Sequence, residues 1–409
     1  MKIVFLTHYY PPEGNAPAAR VHAMASRWAK KGHEVTIVTC APNVPAGKVY
    51  EGYMNRRTVE TADGVRIIRV KTYIAPNSGV IRRILNFVSY MFSAFSECLF
   101  MKKPDVMIAT SPQFFCGWAG VLLHWFRRFP FLLEIRDIWP ESITAVGARV
   151  PGIFLTILGI MEKIMYSAAG HIVTVGEGYK ERLKEMGVPP EKISIIMNGA
   201  DFTVFHPEPR NEKLLSVYGL SGKFICCYTG TLGMACGLKT VLDAAEIIKN
   251  KGINDIAFAL VGDGAVRAEL EKICAEKKLD NVVFTGLRPK KEIPQWINSC
   301  DVSLAHLKKT DLFKTVIPSK IFESAACAKP LLMGVQGKAA EMIDNAGAGI
   351  SFEPENAGAL VEALLKFYKD RNLLRETGMN AEKNIAAVHN RDKQAEEYIR
   401  VIEEKIIKA

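Results

Sequence analysis

Apolar residues along this chain fall in short runs separated by stretches of helical spacing. Lys2 to Thr7 is a run rich in β-branched and aromatic residues, Ala18 to Lys31 reads as a helix, and Glu34 to Thr39 is apolar again. This β-α-β opening predicts a parallel sheet. Further strands are predicted at Val65 to Val70, Val106 to Ala109, Phe131 to Ile135, His171 to Val175 and Ser194 to Met197, enough for one doubly wound α/β domain. Asp201 to Arg210 breaks the pattern with two prolines and reads as a linker. A second series follows, with strands predicted at Phe224 to Thr229, Ile256 to Val261, Val282 to Thr285, Val302 to Ala305 and Pro330 to Met333. The expected division is 1–203, 204–388 and a terminal helix over 389–409 with Tyr398, Val401, Ile402 and Ile406 at helical spacing. Two such domains would enclose a cleft faced by the carboxyl ends of both sheets.

Composition agrees with two domains. At 409 residues, with 49% hydrophobic and 23% charged residues, the chain is too apolar for disorder and too long for one ordinary core. The net charge of +10 suits a polyanion, an anionic bilayer or a phosphorylated substrate. The nine cysteines form no C-x-x-C pair, which favours reduced thiols and argues against a structural zinc site; no metal is expected. The opening M-K-I-V-F-L-T-H is too short an apolar run for a secretory signal, so the catalytic part is expected to stay in the cytoplasm. No Ser-His-Asp constellation supports hydrolytic chemistry, and no aromatic platform or known module supports nucleic-acid binding.

Two segments of the second half carry candidate chemistry. Val261-Gly-Asp-Gly264 sits between a predicted strand and a helical stretch, where small residues let a phosphate or nucleoside approach the backbone; an ordinary turn has the same sequence. In Pro318-Ser-Lys-Ile-Phe-Glu323 the proline fixes a helix start, so that Ser319 and the following amides can face an anion while Lys320 adds a full charge. Glu323, about one turn on, could accept hydrogen bonds from a vicinal diol such as a ribose; a capped helix with solvated Lys and Glu accounts for the same residues. In the first half, Asp137 follows the predicted strand Phe131 to Ile135 and is a candidate base for an acceptor hydroxyl or else a helix cap, with Arg136 and Glu141 as weaker candidates. His8 and His124 read chiefly as packed or strand-end residues.

The run Ile317 to Met333 resembles the signature of retaining glycosyltransferase family 4. Similar features occur in order along the chain: H-Y-Y-P-P-E-G-N with Arg20, E-I-R-D-I-W-P-E-S at 134–142, V-G-E-G-Y-K-E-R-L at 175–183, I-M-N-G-A-D at 196–201, Y-T-G-T-L-G at 228–233 and V-G-D-G. The combination of R-D-x-W-P-E-S with V-I-P-S-K-I-F-E is most similar to the branch that builds bacterial surface polysaccharides, including fucosamine-transferase-like enzymes. The resemblance implies the GT-B fold of two facing Rossmann-like domains, with the terminal helix crossing back onto the first. It implies a nucleotide-sugar donor, expected to be a UDP-sugar carrying an N-acetylated or deoxy hexose, and transfer with retention and without metal. The implied donor contacts are Gly14, Asn15, Gly230, Thr231, Gly233, Gly262, Asp263, Gly264, Leu287, Arg288, Thr315, Ser319, Lys320 and Glu323. Asp137, Lys320 and Glu323 are the implied catalytic set.

Three positions depart from the family pattern. Thr315 stands where the first glutamate of the E-x(7)-E pair would fall, and Thr231 and Cys236 stand where many members carry an Arg and a Lys that stabilise the leaving diphosphate. Lys320 is the first candidate to replace them, followed by Lys314, Arg288 and the amides of Gly14 and Gly233. The lost charges keep two other readings open: a UDP-sugar epimerase, and a non-catalytic scaffold at a membrane surface.

Ile84 to Met101 is the longest apolar stretch, at the lower limit of the roughly 18 to 20 residues that span a bilayer, and it contains Glu97. Arg82, Arg83, Lys102 and Lys103 flank it, which suits a helix lying at an anionic surface near a polyprenyl-diphosphate-linked acceptor. The expected location is therefore peripheral, on the cytoplasmic face of the inner membrane. Phe114 to Phe131 and Val150 to Met165 are also apolar and are expected to be buried core helices.

Overall fold

The computed structural model describes residues 1–44, 47–75, 80–111, 113–139 and 152–408. The chain divides into two compact units, Met1–Met197 with Arg391–Ala409, and Asn198–Asn390.

The first unit is built on an eight-stranded sheet of β1 (Lys2–Leu6), β2 (Glu34–Cys40), β3 (Thr58–Ala62), β4 (Val65–Val70), β5 (Val106–Thr110), β6 (Phe131–Ile135), β7 (His171–Thr174) and β8 (Ile193–Ile195). The order is β3-β4-β2-β1-β5-β6-β7-β8, parallel throughout except for β3 against β4. Central strands such as β5 and β6 are buried at every position because helices cover both faces. One face, carrying Ile3, Phe5, Ile37, Ile108 and Leu132, packs on Val21, Met24 and Trp28 of α1 (Ala16–Lys30). The other face packs on α2 (Val80–Leu99) and α3 (Phe114–Arg127), whose Gly117 and Gly120 let α3 close onto Leu133 and Phe131. Then come α4 (Gly152–Ala168), which packs on α3, and α5 (Glu177–Glu185).

The expected core helix over Val150 to Met165 needs correction. Val150 and Pro151 lie outside the described residues, and α4 buries only Glu162, Met165 and Tyr166 while Ile153, Phe154, Ile157 and Ile160 are exposed. Length and apolarity alone could not separate a core helix from one whose outer face is apolar. The corresponding expectation for Phe114 to Phe131 agrees with α3, which buries Phe114, Cys116, Ala119, Val121 and Leu123.

The second unit holds six parallel strands, β9 (Phe224–Thr229), β10 (Ile256–Val261), β11 (Val282–Gly286), β12 (Val302–His306), β13 (Leu331–Gly334) and β14 (Gly349–Ser351), in the order β11-β10-β9-β12-β13-β14. Its helices are α6 (Glu212–Val217), α7 (Lys239–Asn250), α8 (Arg267–Glu276), α9 (Ile293–Ser299), α10 (Lys320–Ala326), α11 (Lys338–Asn345), α12 (Ala357–Lys369) and α13 (Arg371–Asn380). The order of connection reverses between β9 and β12, which makes the carboxyl ends of those two strands the switch point where a ligand crevice forms in such sheets. The segment read as a linker is ordered and packed on this unit: Phe205 is buried, Asn298 Nδ2 donates to His206 O and Glu208 N donates to Asn298 Oδ1. The crossing between units therefore falls at 197/198, upstream of the two prolines.

The chain returns to the first unit as α14 (Arg391–Ile402). Trp28 Nε1 donates to Ala395 O at 3.0 Å, Arg27 pairs with Asp392 at 2.6 Å, and Tyr398 is fully buried against Trp28. Beneath this helix lies a buried ion pair. Arg20 Nε meets Glu134 Oε2 at 3.1 Å with side chains 4% and 1% exposed, and the other guanidinium nitrogens donate to Met197 O and Ile196 O at 2.9 and 2.8 Å. Burial opposes ionisation of Glu134, but Arg20, Arg136 and the Thr110 hydroxyl together hold its carboxyl below the usual carboxylate range. Arg20→Met would leave two carbonyls without their donor and Glu134 without its paired cation. Urea denaturation should show a loss of about 3 to 5 kcal/mol, and a loss under about 1 kcal/mol would contradict the role given to Arg20.

Candidate functional site

The residues singled out from sequence divide between the units. Gly14, Asn15 and Asp137 belong to the first, and the other donor candidates belong to the second.

In the second unit glycines follow the strands at the switch point and let the loops there meet closely. Gly230 follows β9 with φ +136°, and Gly262 follows β10 with φ +146°. A Cβ on Gly262 would lie 1.9 Å from Gly230 O, and one on Gly264 would lie 2.4 Å from Leu232 O. The two loops are laced together by Gly230 N to Val261 O and Leu232 N to Asp263 O, at 2.9 and 3.0 Å. The V-G-D-G segment is thus a close backbone contact, which an ordinary turn does not require. Asp263 Oδ1 accepts from Gly264 N at 2.7 Å and its carboxylate faces Arg267 at 3.4 Å, so it is engaged in its own turn. Thr231 is exposed, and Gly233 starts the short turn Met234–Cys236.

Lys320 reaches to Tyr228 and Gly230 from the first turn of α10. Its ammonium lies 3.5 Å from the centroid of the Tyr228 ring and 3.1 Å from where a Cβ on Gly230 would stand. No carboxylate pairs with it among the described residues, and loss of hydration pulls its pKa down to about 8, against the partial support of Cys236, Glu323 and Cys227. The Tyr228 hydroxyl donates to Thr231 O at 2.8 Å and also meets Cys236 Sγ at 3.1 Å. Tyr228 therefore holds both the lysine and the loop that carries the two departures from the family pattern. Sequence reading missed it because it looked like one more apolar strand residue.

His306 was missed for the same reason. It ends β12, is buried, donates through Nδ1 to Cys236 O at 2.7 Å and accepts from Glu355 N at Nε2 at 3.0 Å. This tautomer pins the turn after β9, and a Cβ on Gly237, at φ +57°, would lie 3.0 Å from the imidazole.

The P-S-K-I-F-E segment differs from expectation in one respect. Ser319 makes no side-chain cap, α10 has only seven residues, and the amides of Ile321 and Phe322 already donate to Pro318 O and Ser319 O. The positive charge of Lys320 remains, without the row of open amides that the proline suggested. Glu323 is half-buried on the same helix. Arg288 folds back on Thr285 O through Nε and Nη2 and lies over the Tyr218 ring, while Lys314 pairs with Asp311 at 2.7 Å. Both are engaged locally, as is Thr315, whose hydroxyl donates to Leu312 O. Leu287 is 71% exposed.

In the first unit Gly14 is exposed with open space around its Cβ direction, and Asn15 caps α1 by accepting from Ala18 N at 2.9 Å. Ser111 Oγ accepts from the amides of Arg136 and Asp137 at 2.7 and 3.2 Å, fixing the turn after β6. Asp137 borders an enclosed hollow with Phe114, Trp139, Met165 and Tyr166. Glu141, with the rest of the motif beyond Trp139, lies outside the described residues. His8 is buried among Tyr9, Phe87 and Tyr90, and desolvation lowers its pKa to about 4, so it is a neutral packed residue.

On α2, Phe87, Tyr90, Ala94 and Cys98 face inward while Ile84, Leu85 and Phe92 are exposed, so its apolar character is divided between a packed face and an open one. Arg82, Arg83, Lys102 and Lys103 are exposed, and Glu97 is paired with Arg57 at 2.7 Å. No described helix is long and apolar enough to cross a membrane.

Two Rossmann-like units, the second with closely packed glycine loops at its switch point, are the GT-B architecture of glycosyltransferases. The sucrose-phosphate synthase of Thermosynechococcus elongatus matches at a TM-score of 0.79 and 16% identity, covering 100% of both chains. HepE of Anabaena, solved with UDP and glucose, matches at 0.73 and 16%, covering 99% of this chain and 100% of HepE. The model of the glycosyl transferase 4-like domain matches residues 15–199 and that of the glycosyl transferases group 1 matches 212–384. The chain belongs to the glycosyltransferases composed of these two domains. It is 24% identical over 377 residues to WcaI of Escherichia coli (strain K12), described as a colanic acid biosynthesis glycosyl transferase, covering 89% of this chain and 91% of WcaI. It is 26% identical over 298 residues to the glycosyltransferase WbjE of Pseudomonas aeruginosa, covering 71% and 73%.

The glycine contacts give a direct test. Gly262→Ala should cost about 3 kcal/mol or more in thermal or urea unfolding, because the obstructing atom is backbone, whereas Gly14→Ala should stay within about 0.5 kcal/mol of the parent. Equal stabilities would contradict the close approach of the two loops.

Proposed function

We propose that the protein is a retaining, metal-independent hexosyltransferase that moves an N-acetylated or deoxy hexose from a UDP-sugar to a polyprenyl-diphosphate-linked acceptor, in surface polysaccharide assembly such as that of O-antigen or capsule. It would work as a peripheral protein at the cytoplasmic face of the inner membrane. The observation that carries this reading is Lys320: a dehydrated ammonium that no carboxylate pairs among the described residues, seated on Tyr228 beside Gly230 at the switch point of a nucleotide-binding type of sheet. Such a charge is costly to maintain unless an anion completes it. The transferred sugar leaves behind a nucleoside diphosphate with developing negative charge, and Lys320 is placed to meet it.

In this reading Glu323 accepts from the donor ribose, and the backbone of Gly230 to Gly233 lies along the diphosphate. Asp137 would take the acceptor hydroxyl proton, with the nucleophile arriving on the leaving-group face. The name of WcaI supports the polysaccharide context, and the UDP held by HepE supports the donor. The basic residues at the two ends of α2 support an anionic surface as the place of work.

Two measurements test it. Nucleotide release from UDP-, GDP- and dTDP-sugars, with and without a polyprenyl-diphosphate-sugar in detergent, should be acceptor-dependent with a UDP-sugar. Binding without release, or interconversion without acceptor, would overturn the transferase reading in favour of the scaffold or the epimerase. Turnover should also fall as pH rises through about 8, because Lys320 is a cation below that value and neutral above it. Lys320→Arg should carry activity to higher pH and Lys320→Ala should depress it about 100-fold or more at every pH; unchanged kinetics in Lys320→Ala would remove the residue from the site.

A further inference from the structure

The outer face of α4 carries an apolar stripe that the proposed function does not use. Ile153, Ile157, Ile160 and Ile164 recur at helical spacing and are 70%, 47%, 56% and 36% exposed, with Phe154 beside them at 57%. The polarity of this helix is inverted relative to an ordinary surface helix. Its acidic residue, Glu162, is buried and accepts from Tyr166, while its isoleucines point outward. Isolated exposed apolar residues are ordinary, but four on one stripe extending roughly 16 Å are a surface with a purpose.

The stripe has neighbours. α3 packs between α2 and α4 on one side of the sheet, and the outer residues of all three are apolar: Ile84, Leu85 and Phe92 on α2, Trp125 and Phe126 on α3. Cations predominate around them, with Asp105 an exposed acid two residues beyond Lys103. Arg82, Arg83, Lys102, Lys103, Arg128 and Lys163 are exposed, and the acidic residues of the three helices are Glu97, paired with Arg57, and Glu162, buried.

We infer that the isoleucine stripe of α4 is the element that enters the acyl boundary of an anionic bilayer, with α2 and α3 laid alongside it and their cations among the head groups. The inference rests on the reading that the acceptor is held in a membrane. Charge decides against a second copy of the chain as the occupant, because an isologous contact would bring this excess of cations against itself. Length decides against a span: α4 has 17 residues, fewer than the roughly 20 needed, and its other face is committed to Met165 and Tyr166 in the core. A helix lying in the interface, with its apolar side immersed and basic residues at the rim, satisfies both.

The experiment is sedimentation of the full chain with vesicles of phosphatidylcholine, with or without phosphatidylglycerol. Wild type should bind the anionic vesicles, and the combined variant Ile153→Ser, Ile157→Ser, Ile160→Ser, Ile164→Ser should bind about 100-fold more weakly. UDP affinity and the thermal midpoint of the variant should stay near those of wild type. Since the serine variant could still disturb the fold, the pair Ile157→Phe and Ile160→Phe supplies the opposite sign, and these should bind vesicles more tightly. If the isoleucine variants bind as wild type does while charge reversal at Arg82, Arg83, Lys102 and Lys103 releases the protein, the membrane reading stands and the assignment to α4 falls. If wild type ignores both vesicles, the membrane reading falls as well. A wild-type dimer that the serine variant dissociates would give the face to a second copy and overturn the inference.

Discussion

The first unit depends on one buried cation. Arg20 lies on α1, pairs with Glu134 on β6 and donates to the carbonyls of Ile196 and Met197, so a single side chain ties the first helix, the middle of the sheet and the point where the chain leaves the unit. Arg136 adds a second guanidinium near the same carboxylate. A buried ion pair contributes little net stability compared with apolar packing, but it is intolerant of change, since removing one member strands the other. What it supplies is placement: α1, β6 and the exit strand have one arrangement in which the donors and acceptors match.

The second unit reaches specificity by a different route. Its switch point is built on glycines whose missing side chains let backbones meet, Gly262 against Gly230 O and Gly264 against Leu232 O. The loops after β9 and β10 approach so closely that their backbones hydrogen-bond directly, and His306 and Tyr228 hold the turn between them from below. A lysine seated on an aromatic ring is attracted to the ring's face without having its charge cancelled, unlike a lysine in a salt bridge. In the proposed function, Lys320 supplies from another strand-to-helix connection the charge that Thr231 and Cys236 do not carry.

Most of the strand plan was legible because parallel strands buried on both faces show as continuous apolar runs; β4, β6, β9 and β10 begin and end where the sequence places them. β3 was not legible, since T-V-E-T-A is a half-exposed edge with little apolar content, although the Asp63-Gly64 pair beside it, with φ of +52° and +76°, is the hairpin signal that would have found it. Within the site, motif residues could be located but their commitments could not. Nothing in the sequence says that Arg288 turns back on Thr285, that Lys314 is taken by Asp311, or that Ser319 leaves α10 uncapped, because each depends on rotamers and on partners a few residues away. Tyr228 and His306 were invisible because strand position hides which side chains have polar tasks. The domain limit was displaced for a related reason: prolines mark irregular backbone, whereas contacts such as that of Asn298 with His206 decide which body a segment joins.

The return of α14 sets an order of assembly. Residues 391–402 emerge from the ribosome after the whole of the second unit, yet Trp28, made near the beginning, needs the Ala395 carbonyl for its indole and the Tyr398 ring to complete its packing. In most multidomain chains the earlier domain can finish folding during synthesis. Here the earlier unit is completed only after the later one has been made, so while residues 198–390 are synthesised the nascent chain carries an uncovered apolar face on α1 that α14 later covers.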